Sequence, residues 1–174
     1  MSTLDAALLV LIVHGALGAV DTFYAHEWRA KLPQQPWARR ELTLHSLRSF
    51  LYAWIFIGLA WFEWHGAFAA LLLLLFAVEY LVTLVDAVVE DRTRELSHVE
   101  RVVHMMLGLT TGAYVGLIAY YAASEWFGRP SVLQPTGHGL ASIVLSVYAA
   151  AVILSGLRDG LAARRLATVS GSRA

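Results

Sequence analysis

The sequence has no cysteine, few charges and only four prolines, and each scarcity narrows what the chain can be. Without cysteine there is no disulfide framework, no thiolate metal site and no iron–sulfur cluster. Charged residues make up 15% of the 174 positions. Soluble domains carry about 25%, so the deficit points to lipid as the solvent. Basic and acidic residues number 13 each, and this balance leaves no electrostatic footprint for nucleic acid. The N-terminus, Met1-Ser2-Thr3-Leu4-Asp5, lacks the basic region of a secretory signal, so the first apolar run reads as a retained helix.

What the chain has instead is apolar length: 58% of its residues are hydrophobic. A membrane-crossing helix needs about 20 such residues in a row. Five runs qualify, at 6–28, 40–62, 67–90, 102–124 and 139–158. Pro33 and Pro36 interrupt the chain after the first, and Gly128, Pro130, Pro135, Gly137 and Gly139 interrupt it before the last. The expectation is a single all-α integral membrane domain over 1–166. Its first four helices form an antiparallel bundle around a polar site, the fifth packs outside them, and a small, polar tail at 167–174 is disordered.

Basic residues set the orientation. Arg29, Lys31, Arg39 and Arg40 lie in the first connection, Arg92, Arg94 and Arg101 in the third, and Arg158, Arg164 and Arg165 near the C-terminus. The second and fourth connections hold only Arg129. The positive-inside rule then places the N-terminus outside the cell membrane and the C-terminus in the cytoplasm.

Ionisable residues inside apolar spans are costly and point to function by default. Glu41 and His45 are four apart, as are Glu100 and His104, so each pair projects from one helix face. Asp21 and Asp86 sit inside apolar runs. Counted from the cytoplasmic ends, Asp21, His45, Asp86 and His104 all fall roughly 10–12 Å in, at 1.5 Å of rise per residue. The order aspartate, basic connection, Glu-x-x-x-His occurs twice, which implies two similar hairpins around one centre. Glu90 is held in reserve, four residues after Asp86. Glu79, Arg48 and His14 lie deeper, with an Arg48–Glu79 ion pair expected. His26, Glu27, Glu90, Asp91, Glu95 and His98 read as interfacial and solvated, Glu90 despite its place in reserve, and His65 and His138 as solvated loop histidines.

This ligand pattern resembles the ferritin-like di-iron and di-manganese carboxylate proteins, where two helices give one carboxylate each and two others give a Glu-x-x-His pair. The resemblance implies Asp21 and Asp86 as terminal ligands, Glu41 and Glu100 as bridges, and His45 and His104 as one cap per ion. The Glu-to-His spacing here is four rather than three, and the helices cross a membrane. Iron is the favoured metal, with manganese and zinc compatible with the same donors. The reading that follows is a di-iron oxidoreductase using oxygen on an apolar, lipid-like substrate. The alternatives are a b-type haem protein with His45 and His104 as axial ligands, a cation or proton transporter, and a metal-dependent hydrolase. Gly108, Gly112 and Gly116 form a small-residue stripe that permits close helix contact, within the chain or between copies in a homo-oligomer.

Overall fold

A computed structural model describes residues 1–171 of the chain. It contains five helices long and apolar enough to cross a membrane. Helix α1 (Thr3–Val20) starts at a capping box made by Ser2 and Asp5, and runs on without a break as a π-helical segment, Asp21–Ala30. Two 3-10 turns, Leu32–Gln34 and Pro36–Ala38, use the two prolines at their starts, where a missing N–H costs nothing. Next come α2 (Arg39–Trp61), a short strand β1 (Phe62–Trp64) and α3 (Ala67–Thr93). Helix α4 (His98–Tyr121) ends in a π turn, Ala122–Trp126, and strand β2 (Leu133–Pro135) precedes α5 (Leu140–Gly171). Residues 167 to 171, expected to begin a disordered tail, instead continue α5. The remainder of that tail lies outside the described residues.

Helix α3 shows why these helices suit lipid. Its outward stripe, Leu71, Leu74, Val78, Leu81, Val85 and Val88, is apolar and exposed. Its inward face buries Glu79, Asp86 and Glu90. A helix folded in water carries the reverse pattern.

Helix α5 lies along α2 more extensively than any other pair; α1 lies along α4, α3 along α2, and α3 meets α4 lightly. The close approach of α5 comes from small residues. A Cβ on Gly156 would stand 2.8 Å from Ser49 Cβ, and one on Gly160 would stand 2.9 Å from Ser46 Oγ. Ser46 Oγ also donates to the Gly156 carbonyl at 2.8 Å. In lipid, such close contact and interhelical hydrogen bonding hold helices together. The Gly108, Gly112 and Gly116 stripe makes no such contact, since a Cβ at any of them meets nothing within 4 Å.

At the end away from the arginine-rich connections, β1 and β2 pair antiparallel and tie the α2–α3 connection to the α4–α5 connection. His65, expected in a solvated loop, is buried there, with Nε2 2.8 Å from Glu63 Oε2. Gly66 turns the chain into α3 at φ 59°, and a Cβ on it would come within 2.8 Å of both the Arg129 carbonyl and Ser131 Cα. Gly66→Ala should therefore cost about 1–3 kcal/mol of stability. Gly128→Ala, where nothing lies within 4 Å, is the control. Thermal unfolding in detergent checks this: equal midpoints for the two variants would remove the ribbon turn as a source of strain.

Candidate metal centre

The carboxylates and histidines meet at the arginine-rich end, and the π-helical segment decides which of them do. On an α-helix, residues five apart point about 140° away from each other. In the π register the hydrogen bonds run from i to i+5, so residues five apart share a face. Asp21 and His26 lie in that segment and both are buried, with His26 Nε2 3.6 Å from Asp21 Oδ2. His26 is therefore a site residue and not the solvated interfacial group expected from α-helical spacing. Its ring stacks on His45, centroids 4.4 Å apart and planes 13° from parallel.

Two sets of side chains each offer ligand atoms within 4.8 Å of one another, namely Asp21, His26, Glu100 and His104, and then His26, Glu41, His45 and Glu90. Five of the six expected ligands are among them. Glu90 lies at the middle. Its Oε1 is 3.6 Å from His45 Nε2 and 3.8 Å from His26 Nε2, while Oε2 is 3.6 Å from His104 Nδ1. Each oxygen of this carboxylate thus faces a different set.

Asp86 belongs to neither set. Its Oδ2 is 3.1 Å from His45 Nε2 and accepts a 2.8 Å hydrogen bond from Arg48. Arg48 does approach Glu79, as expected, but at 3.6 Å it sits closer to Asp86. Thr83 completes Glu79 by donating at 2.7 Å. Deeper still, His14 bridges two hydroxyls, with Nδ1 2.9 Å from Thr110 Oγ1 and Nε2 2.9 Å from Tyr52 Oη.

Glu100 is placed by local structure. Ser97 caps α4 and the Glu100 carboxylate returns to the Ser97 N–H, a capping box that fixes the side chain before any tertiary contact forms. Arg94, from the α3–α4 connection, then reaches into the site. It donates to Glu100 at 2.7 Å and to Glu41 at 3.0 Å, and stands 3.4 Å from Glu90. Burial works against its charge, but the hydrogen bonds to Glu100 and Glu41 outweigh that and raise its pKa above the usual guanidinium value.

The charges do not balance among these groups. Asp21, Glu41, Glu79, Asp86, Glu90 and Glu100 are all buried, and Arg48 and Arg94 are the guanidiniums that reach them. Six carboxylates against two guanidiniums leave an acidic excess, which protons, the imidazoles of His26, His45 and His104, or divalent cations can offset. Buried charge of that size demands partners. In addition, His26 Nε2 and Asp21 Oδ1 are buried without a hydrogen-bond partner. An orphaned imidazole nitrogen among carboxylates fits a site whose remaining partner is a metal ion.

Two cavities adjoin the cluster. One of about 570 Å³ reaches Arg94 and Glu100 from the connections at this end, between Arg29, Trp37 and His98. The other, about 450 Å³, lies between α1, α2 and α5, and Asp21, His26, His45 and Arg48 line its inner end. The chain matches no protein-family model, no curated protein and no solved structure.

Proposed function

We propose that this is a membrane-spanning oxidoreductase with a two-metal centre of carboxylates and histidines, acting with oxygen on an apolar, lipid-like substrate. In this reading α1 to α4 run antiparallel around the centre, and the N-terminus lies outside the cell membrane with the C-terminus in the cytoplasm. The observation that carries the reading is the pair of adjoining ligand sets, in which buried carboxylates outnumber guanidiniums and imidazole nitrogens stand among them.

Asp21, His104, Glu100 and His26 would hold one ion, and His45, Glu41 and Glu90 the other; Glu90 lies between the two groups, with Oε1 toward His45 and Oε2 toward His104. Asp86, held by Arg48, is assigned to the edge of the second set, since its Oδ2 meets the same His45 nitrogen that faces Glu90. Arg94 holds Glu41, Glu90 and Glu100 together and neutralises part of their charge. Iron is the favoured ion; manganese and zinc suit the same donors. Bound iron would supply the electron and oxygen chemistry. The protein shapes and dries the site, and the apolar cavity brings substrate beside it. A haem between His45 and His104 fits less well, since Glu90 touches both rings.

Elemental analysis and a visible spectrum of detergent-purified protein test the reading. About two iron or manganese ions per chain without haem bands is the expected result. Two zinc ions would keep the centre and turn the chemistry to hydrolysis. Absence of metal, or a haem spectrum, would end the di-metal reading.

A further inference from the structure

The cavity between α1, α2 and α5 changes character along its length. Its inner end is formed by Asp21, His26, His45 and Arg48, with His14 and Tyr52 beside them. Its walls are Phe56, Leu107, Tyr148 and Val152. Its rim includes Phe23 and Leu154, both exposed on the apolar surface of the helices, and toward the arginine-rich end Arg158 with Asp159. At one end Tyr148 closes the gap by lying against α1 where Gly15 has no side chain; a Cβ there would overlap the ring. One turn further on, Gly18 also lines the cavity, and a Cβ on it would meet nothing within 4 Å. The polar interior is reached from the apolar side past Phe23 and Leu154, with Arg158 and Asp159 confined to the arginine-rich corner. At about 450 Å³ the volume falls within the ~300–1,000 Å³ of small-molecule sites.

We propose that this cavity binds one lipid-soluble amphiphile, admitted sideways between α1 and α5. An oxygen-bearing head group accepts hydrogen bonds at the inner end, and an apolar tail leads out past Phe23 and Leu154. Arg48 is the anchor for the head, being partly exposed on the cavity side while Asp86 and Glu79 hold it in place. Tyr52 and His14 add polar groups on the same wall. The proposal rests on the two-metal reading only for what the head group meets there; occupancy of the cavity does not need the metal. A carboxylate head on an acyl chain and a carbonyl head on a quinone ring share this chemistry.

The test is equilibrium binding to the full chain in detergent, stripped of metal and then reloaded, with palmitate in one arm and decylubiquinone in the other. Saturable binding of one molecule per chain is expected in at least one arm. Palmitate alone assigns an anionic head to Arg48, and decylubiquinone alone assigns a neutral carbonyl. Gly18→Leu should weaken binding about tenfold or more by filling the cavity, with unfolding temperature and metal content unchanged. Ala151→Phe, from the α5 wall, should do the same should Gly18→Leu fold poorly. Leu71→Phe on the outer face of α3 should have no effect. No saturable binding in either arm, or unchanged affinity in both cavity variants, overturns the proposal. Failure of the metal centre gives a different result, since metal-stripped wild-type protein would still bind its ligand while taking up no ions.

Discussion

His26→Ala should strip most bound metal from the purified protein, while Asp86→Asn should leave metal in place at lower affinity. His26 adjoins both ligand sets and stacks on His45, so its loss opens one ion's shell and frees the imidazole that grips the other. Asp86 touches His45 from outside the ligand sets. Loss of a supporting carboxylate beside a ligand weakens metal about 10–100-fold, and loss of a ligand weakens it further. Glu90→Ala belongs with His26→Ala, because both sets face that carboxylate. Metal titration of stripped protein measures all three, with circular dichroism to show that the helices persist. Wild-type metal content in His26→Ala would falsify the assignment. A larger loss in Asp86→Asn than in His26→Ala would restore Asp86 as a ligand.

Arg94→Met should destabilise the metal-free protein by about 3–5 kcal/mol, the cost of leaving buried charges without their partner. Arg94 is the guanidinium shared by Glu41, Glu90 and Glu100, and all four groups are shielded from solvent. Without it, those carboxylates must take up protons or separate. Two divalent ions would supply the missing positive charge, so metal should raise the unfolding temperature of Arg94→Met by more than that of the wild type. Arg101→Met, one residue past Glu100 and exposed, is the control. If metal stabilises Arg94→Met no more than the wild type, the ions do not bind among these carboxylates. If the metal-free variant is as stable as the wild type, Arg94 is not their neutralising partner.

The residues that were legible in the sequence are those whose geometry follows from an α-helix. Glu41 with His45, and Glu100 with His104, are four apart on regular helices, and each pair does reach the cluster. His26 was hidden because the segment that carries it is wound five residues to the hydrogen bond. A 3.6-residue period turns it away from Asp21. Asp86 lay at the right depth and on the right face, yet Arg48 and His45 engage it first. Depth along a helix is additive in residues; the choice of partner is not. Arg94 looked like one more cytoplasmic arginine, because nothing in its neighbours' identities shows that a connection folds inward.

Helix α5 gives the same lesson for the fold. Its apolar span carries few charges, which suggested a peripheral place. Gly156 and Gly160, four apart near its arginine-rich end, bring it onto Ser46 and Ser49 of α2. That contact leaves the seam toward α1 open as a cavity.

Composition and apolar length alone determined five helices suited to lipid, and spacing alone determined which side chains share a helix face. Both follow from the local hydrogen-bond ladder and from hydropathy summed along the chain. Only the tertiary structure decided that His26 and Glu90 join the cluster, that Asp86 stands at its edge, that Arg94 enters it and that a cavity leads to it. Those outcomes depend on how helices of different register pack against one another, and on which buried charge finds a partner first.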